Sequence, residues 1–460
     1  MQRRPFRLLS WAFLCLCAAV PLDAAEEVEK AKEDDAISNT LHGTLPPEVS
    51  TFPDVFAKGR FTLGARYKFE RLSQDAGPNP PANGPVQHVG YASTLRLAVG
   101  YETAPVHGLT AYGEVAGVYG LGFDDDYRVT TLPDQNHAGY PFINDGRGTQ
   151  MNQYWIDWKS PEAPAQLRFG QEETQLLNGR FVSSQLYRQT HQTLDLASIR
   201  LTPVTVADGQ LSARYAYVYR AHRPNTDGAT DNPLDMSTHV MEAAWTKKDR
   251  GTVAAYALLL DFNVSDYALA GFNPNTVQST RTTGIRAEGP WKIDDDWGVH
   301  YVADFAHQAD WGTNPHHVSE NYWEAELGPV YKKHHFFIGG TGLGGKSATD
   351  LLSTPLSPPM NGWSEFFAAN PALPARSAYG LTAAYVTATG PLPVEGLTYT
   401  VTGYDYWASN NGTHYGRELD AGMDYKFARH YFAGWRVGGY FADALYTDSV
   451  RTSVTVGLAF

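Results

Sequence analysis

Six arginines have the chemistry to hold an anionic or hydroxyl-bearing solute. A guanidinium presents a planar fork of N–H donors that binds a carboxylate through two hydrogen bonds, and it keeps its charge at physiological pH. Four of the six occupy polar positions in segments where apolar and polar residues alternate, and two lie in a polar stretch between such segments. The predicted solute-facing cations are Arg66, Arg96, Arg168, Arg180, Arg188 and Arg214.

The same polar positions carry further charges of both signs. If these charges line one interior, they keep it wet and select ions at its narrowest point. Alternatively, each charge pairs with a neighbour on the next strand and stabilises the wall, which is the stronger interpretation for any single residue. The basic set adds Lys68, Arg200, Arg220, Arg286, Lys426 and Arg436, and the acidic set is Glu70, Glu102, Glu114, Asp157, Glu172, Glu242, Asp261, Glu288, Asp304, Glu324, Glu326, Glu418, Asp420 and Asp424.

The alternating segments that position these residues are typical of β-strands. In the last ten residues Val454, Val456, Leu458 and Phe460 alternate with small or polar residues, and this period of two recurs along the chain. A strand whose apolar face meets lipid must pair on both edges, which a closed barrel allows. The sequence therefore predicts an all-β fold, a transmembrane antiparallel β-barrel of about 18 strands, or about 16 if the weakest segments near 279, 329 and 335 are discounted.

The connections between the segments fall into two classes. Short ones such as 104–108 and 247–251 hold Pro, Gly and charged turn residues, whereas long ones such as 174–193 and 345–376 are polar and rich in Pro and Gly. Outer-membrane barrels have short periplasmic turns and long extracellular loops, so we expect that orientation here. The stretch 174–193 could fold into the barrel and narrow it or point outward, and the residues support both interpretations equally.

The chain divides into three predicted parts. Residues 1–25 combine Arg3, Arg4 and Arg7 with a short apolar run and small residues before position 26, as in a secretory signal peptide. Residues 26–58 form a periplasmic N-terminal lead, charged at first and then held extended by Pro46, Pro47 and Pro53, and residues 59–460 form the barrel. Composition agrees with a barrel, because aromatic residues make up 13% and the chain has 43 Gly.

Several function classes find no support in the sequence. The net charge of −13 becomes about −15 without residues 1–25, which hold three Arg and one Asp, and this disfavours nucleic acid as a partner. We find no G-x-S-x-G or H-E-x-x-H motif and no convincing Ser and His pair on adjacent strands, so an enzyme is not expected. Neighbouring His residues such as His316 and His317 would point to opposite faces of a strand, so no metal site is expected, and passive diffusion through a barrel would need no cofactor.

One region resembles a known family. The pattern comprises Leu167, Arg168, Phe169, Gly170 and Gln171, then Asn178, Arg180, Phe181 and Val182, and then Arg188, Gln189, Gln192, Thr193, Leu194 and Asp195. It is similar to the pattern of bacterial outer-membrane proteins of the alginate-export family, although Gln171 and Glu172 stand where a basic residue is expected. The resemblance implies an eighteen-stranded monomeric channel whose arginine-lined lumen passes an anionic sugar or another small polar solute.

These observations predict a porin-like channel in the bacterial outer membrane. Small hydrophilic solutes, anionic or sugar-like, would diffuse through it, and export or uptake of an acidic saccharide is one such role. The alternative is a structural or adhesive barrel plugged by its loops, without pore activity. Expected partners are outer-membrane lipid and lipopolysaccharide, the small polar solute, and the barrel-insertion machinery, which would recognise the C-terminal strand that ends in Phe460.

Overall fold

The structure is a computed structural model that describes residues 47–75, 88–122, 126–129, 137, 139–223, 233–265, 278–347, 349–356, 361–365 and 379–460. The predicted signal peptide and residues 26–46 of the predicted lead lie outside the described residues. The elements are helix α1 Phe52–Ala57 and strands β1 Arg60–Gln74, β2 Val89–Glu102, β3 Leu109–Gly120, β4 Gly148–Lys159, β5 Ala165–Glu172, β6 Thr193–Val206, β7 Gly209–His222, β8 Leu234–Lys247, β9 Gly251–Leu260, β10 Thr280–Lys292, β11 Trp297–Asp310, β12 Ser319–Tyr331, β13 His334–Leu343, β14 Leu381–Pro391, β15 Leu397–Trp407, β16 His414–Phe427, β17 Tyr431–Ala442 and β18 Ser449–Ala459.

The eighteen strands form one closed antiparallel barrel. Each strand pairs with its neighbour in sequence, and β1 also pairs with β18 from Gly64 opposite Ala459 to Gln74 opposite Ser449. The predicted closure of the first strand onto the last is thus confirmed. The alternative of sixteen strands is wrong, because the weakly alternating segments form β10, β12 and β13.

The two faces of the wall follow the predicted alternation. On β1 the side chains of Phe61 and Leu63 point outward and are 77% and 44% exposed, whereas Lys68 and Glu70 point into the lumen and are buried. Large aromatic side chains lie at the rim where β1 begins and β18 ends, as expected of a membrane interface. This girdle includes Phe61, Trp291, Trp297, Tyr431 and Phe460.

The rims differ as predicted, with short turns on the periplasmic side and long loops on the other. Three connections on the outer rim, residues 311–318, 408–413 and 443–448, are nevertheless short. Several periplasmic turns place non-glycine residues in the left-handed region, such as Lys332 and Lys333 with φ of 45° and 76°. Two successive residues of this kind match the twist of the flanking strands, so they suit a two-residue hairpin. Among the described residues, every helix is too short or too polar to cross a membrane.

The segment before β1 is not fully extended, contrary to the prediction from its prolines. Residues Phe52–Ala57 form α1, and Pro53 lies in its first turn. Proline is tolerated there because the first turn leaves backbone N–H groups without helical partners. Pro53 therefore lies within a helix instead of preventing one.

The C-terminal residue takes part in closing the barrel. The backbone N–H of Phe460 donates to the carbonyl of Leu63 at 2.9 Å, and the N–H of Leu63 donates back at 3.0 Å. The ring of Phe460 stacks on that of His430 with 4.4 Å between centroids. Both backbone bonds survive truncation of the ring, whereas the stacking does not.

We predict that Phe460→Ala lowers the ratio of assembled to unassembled protein about fivefold, because a stacked aromatic pair contributes about 1 kcal/mol, and that this appears as a smaller assembled fraction in vesicles at the urea concentration where the unchanged protein is half assembled. The heat-modifiable band on gels measures that fraction. Phe441→Ala, which removes an exposed outward-facing ring on β17, is the matched control and should assemble normally. Equal yields from both variants would contradict the prediction.

Candidate functional site

Three external connections turn into the lumen and meet there. We call them L2 (residues 139–147), L3 (173–192) and L7 (344–356 and 361–365), and together they form the loop belt. L3 folds inward because its apolar residues Leu176, Phe181 and Val182 are buried against Val218 and Leu258 on the wall. Of the two interpretations of 174–193, the inward one is therefore observed, and the lumen wall is apolar where L3 packs on it.

Backbone contacts join L3 to L7. Val182 and Leu356 form a parallel β-bridge, and the N–H of Ser183 donates to the carbonyl of Leu356 at 3.1 Å. The side-chain amide of Gln192 donates to the same carbonyl at 3.1 Å. These bonds satisfy polar groups that burial would otherwise penalise, so the belt is a packed part of the structure.

Hydrogen bonds and ion pairs of Arg66 and Arg188 attach L3 to β1. Arg66 on β1 donates from Nε to Gln189 Oε1 at 2.9 Å and from its terminal nitrogens to the carbonyls of Leu186 and Arg188. The side chain of Arg188 is 1% exposed and pairs with Glu70 at 3.2 Å, with Asp145 of L2 at 3.7 Å, and with Glu365 of L7. Burial alone would raise the pKa of Asp145, but Lys68 and Arg188 hold it below its usual value.

His191 lies at the centre of a second group of charges. Its Nδ1 is 2.6 Å from Glu173 Oε1, and its Nε2 is 3.3 Å from Arg66 Nη2. Arg96 approaches the same imidazole at 3.5 Å and lies 3.7 Å from Glu114. Burial and the neighbouring guanidinium of Arg96 lower the pKa of His191 to about 4, so the imidazole is neutral at neutral pH.

A third group surrounds Glu172 at the end of β5. This carboxylate receives Arg168 at 2.9 Å, Arg200 at 2.7 Å and Arg214 at 2.9 Å. Arg168 also pairs with Asp157 and lies 3.9 Å above the ring of Trp155. Because Arg200 keeps 30% of its side chain exposed, this cluster presents positive charge to the lumen.

The opposite wall, from β8 to β16, is predominantly acidic. Arg286 is its chief countercharge and pairs with Asp304 at 3.0 Å, with Glu288 at 2.7 Å and with Glu324. The predicted cation Arg180 reaches toward this side from L3, where its guanidinium donates to Asn361 Oδ1 at 3.1 Å and lies over the ring of Tyr322. The lumen-facing acids of this wall are Glu242, Glu288, Asp304, Glu324, Glu326, Glu418, Asp420 and Asp424.

A cavity lies beside the belt on the wall formed by β1, β17 and β18. Trp363 of L7 and Phe432 of β17 supply aromatic rings, and the guanidinium of Arg436 lies 5.2 Å from the Trp363 ring. Charges of both signs line the remainder, with cations in a small excess. They are Arg66, Lys68, Arg436 and Arg451 against Glu70, Glu365 and Asp424.

The six predicted cations therefore separate into distinct places. Arg66, Arg96 and Arg188 come together around the C-terminal half of L3, Arg168 and Arg214 meet at Glu172, and Arg180 lies apart. Arg66, Arg96, Arg180 and Arg188 bind protein groups and are largely buried. Arg96 pairs with Glu114 of the next strand, as the alternative interpretation predicts, whereas the other three connect the loops of the belt to one another or to the wall.

The prediction that Arg220 faces the lumen is wrong. A β-bulge between Val218 and Arg220 shifts the pairing of β7 with β8 by one residue, so Arg220 points outward and pairs with Asp235 at 2.6 Å. The predicted basic set does not include Arg451. Its spacing of two residues from Ser453 and four from Thr455 nevertheless places it on the same, lumen-facing side of β18. Its terminal nitrogen binds Glu70.

Among the described residues, no group of three His, Cys, Asp or Glu side chains is arranged to hold a metal ion. What the arrangement offers is a lumen narrowed by the loop belt, with a cluster of arginines around Glu172 on one side and predominantly acidic side chains on the other. A closed eighteen-stranded barrel with short turns on one rim and inward-folded loops from the other has the fold of outer-membrane porins.

Solved porin structures share this fold. OccK9 (OpdG) of Pseudomonas aeruginosa aligns with a TM-score of 0.64 and 14% identity over 88% of this chain and 100% of its own. OccAB3 of Acinetobacter baumannii aligns with a TM-score of 0.64 and 13% identity over 88% and 99%. OpdK of Pseudomonas aeruginosa, solved with vanillate, aligns with a TM-score of 0.60 and 11% identity over 88% and 99%. No protein-family profile matches the chain, and no curated protein does.

We predict that protonation of His191 at acidic pH destabilises the packing of L3 against the wall. In the packed loop its pKa is about 4, below the ordinary 6.5, so the packed loop binds fewer protons than the released loop. The stability of the packing is complete above pH ~6.5 and falls as the pH drops from about 6.5 toward 4.

Single-channel recordings should therefore show more current fluctuation across that pH range, and His191→Gln should lack much of the increase. His239→Gln, on the outer face of β8, is the control and should behave like the unchanged protein. The same pH dependence in His191→Gln would show that His191 is not responsible.

A second prediction concerns Glu172. Glu172→Gln removes the negative charge that three guanidiniums share, so the lumen should become more selective for anions. One charge at ~6 Å in water is equivalent to ~0.7 kcal/mol, or about threefold in the chloride-to-potassium permeability ratio. Reversal potentials in a salt gradient measure this ratio, and Asp235→Asn, which removes an outward-facing carboxylate on β8, is the control and should leave the ratio unchanged. An unchanged ratio in Glu172→Gln would place the cluster away from the ion path.

Proposed function

We propose that the chain is a channel of the bacterial outer membrane through which small hydrophilic solutes diffuse passively, with a preference for anions. The observation that carries the proposal is the charged, aromatic-lined cavity beside the loop belt, enclosed by a barrel with a lipid-facing exterior. A purely structural barrel has no need of guanidiniums exposed to its interior. Such a channel requires no cofactor, and we propose no reaction.

The preference for anions rests on the cluster around Glu172. Arg200 and Arg214 lie opposite each other on β6 and β7 and expose 30% and 16% of their side chains. Together with Arg168 they are three cations against the carboxylates of Glu172 and Asp157, so this part of the wall carries a small positive excess before the acidic wall begins at Glu242 on β8. A solute with one acidic group can exchange these contacts while its hydroxyls meet the acidic wall.

The solute class follows from the cavity. Arg436 above the Trp363 ring combines a carboxylate-binding fork with an aromatic surface. Such a pair suits a small organic acid with a flat ring, and the OpdK structure with vanillate supports that choice. An acidic saccharide, the solute implied by the alginate-export resemblance, also fits a guanidinium beside an aromatic ring, and assignment to that family stays a proposal.

Two further partners belong to this proposal. Lipopolysaccharide would surround the outer rim, where Arg220 and Asp235 face outward. The barrel-insertion machinery would recognise the terminal strand, whose Phe460 lies in the periplasmic girdle. The competing role is a plugged structural barrel, in which L3 and L7 would have to close the lumen, and the similarity to solved porin structures does not favour it. Planar-bilayer recordings separate the two roles, since a plugged barrel shows no steady conductance.

We predict that the double variant Arg200→Gln and Arg214→Gln lowers the chloride-to-potassium permeability ratio about threefold or more, because it removes two cations within several ångströms of the path. Reversal-potential measurements in bilayers give the ratio. Arg220→Gln, on the same strand β7 but outward-facing, is the matched control and should leave the ratio unchanged. A conducting channel whose ratio is equal in all three proteins would refute the role of this cluster, and absence of conductance in the unchanged protein would refute the channel.

A further inference from the structure

Helix α1 carries two phenylalanines that are largely exposed among the described residues. Phe52 is 74% exposed and Phe56 is 56% exposed. They lie four residues apart on one face of the helix, and their ring centroids are 5.5 Å apart. Water around two adjacent exposed rings is unfavourable, so this face requires another environment.

The remainder of α1 is fixed to the barrel. Val55 is buried with Val49 and Ala104, and the N–H of Ala104 donates to the carbonyl of Val55 at 2.9 Å. The N–H of Val49 donates to the carbonyl of Pro105 at 2.8 Å. The helix is therefore held under the turn between β2 and β3, and its exposed face has a defined direction.

That direction is the lipid side of the rim. Tyr101 belongs to the outward-facing row of β2, in which Leu97 and Val99 are exposed, and its hydroxyl donates to the carbonyl of Phe56. Its ring also packs against outward-facing Phe61, with 4.9 Å between centroids. The exposed rings of α1 thus continue the aromatic girdle of the barrel below its first strand.

The polar residues of α1 mark the boundary with water. Asp54 and Lys58 form an exposed pair at 3.3 Å. A short helix with aromatic rings on one face and a charged pair on another matches the gradient between acyl chains and water, where aromatic residues collect.

We propose that α1 is an interfacial helix whose Phe52 and Phe56 insert among the phospholipids of the periplasmic leaflet. The occupant of the exposed face is lipid, because the face is continuous with the lipid-facing girdle. The helix then fixes the described residues before β1, 47–59, at the lipid side of the rim. The proposal does not depend on which solute passes or on whether the barrel conducts.

Site-directed spin labelling tests this arrangement in the full chain, reconstituted in vesicles of phosphatidylethanolamine and phosphatidylglycerol. Cys15 and Cys17 are both changed to Ala, which leaves no other thiol. Single labels are placed through Phe52→Cys, Phe56→Cys, Asp54→Cys as the aqueous control and Leu97→Cys as the lipid-facing control. The heat-modifiable band verifies that each labelled barrel is folded.

We expect the labels at 52 and 56 to show a several-fold higher ratio of oxygen to nickel-chelate accessibility than the label at 54, and to approach the label at 97. A water-like ratio at 52 and 56 would overturn the proposal. Low accessibility to both reagents would mean that protein covers the face, and spin–spin broadening between labels would mean a second copy of the chain; either result would also overturn it.

Discussion

The hydrogen bonds between β1 and β18 are the constraint on which the remaining structure depends. Backbone polar groups in a membrane find no water, so each strand must pair on both edges and the sheet must close. Closure assigns one face of every strand to lipid and the other to an enclosed lumen. The period of two in the sequence follows from this division of faces. The charges on the inner face can contact loops and solutes because the barrel encloses them.

Inside the lumen, most charges hold the loop belt in place, and a minority remain accessible. Arg188 is buried among Glu70, Asp145 and Glu365, which belong to β1, L2 and L7. Removing Arg188 would leave the buried carboxylates of Glu70 and Asp145 with fewer countercharges, which is more costly than loss of a surface pair. Arg200 and Arg436 are about one-third exposed and can exchange partners with a solute. One residue type thus serves both to fix the passage and to line it.

The strands and the closure could be predicted because their signal is local and repeated. The weakest predicted boundary contains the turn at Lys332 and Lys333, whose left-handed conformation is unusual for lysine and carries no glycine signal. The bulge that turns Arg220 outward also lacks a local signature, since it depends on the pairing with β8. The inward course of L3 depends on Phe181 meeting Tyr256 and Tyr322, contacts between residues far apart in sequence. Such pairings are decided by the three-dimensional packing and cannot be read from periodicity.

Glu70 contacts both the strand that closes the barrel and the loop belt that narrows the lumen. Glu70 binds Arg188 of L3 and also Arg451 of β18, a residue 381 positions away along the chain. Arg451 in turn lies 3.2 Å from Glu365 of L7. Contacts across such sequence separations form late, because their loop-closure entropy must be overcome first. The belt therefore reaches its full set of partners only when the last strand has joined the first, so closure of the wall and completion of the constriction are one event.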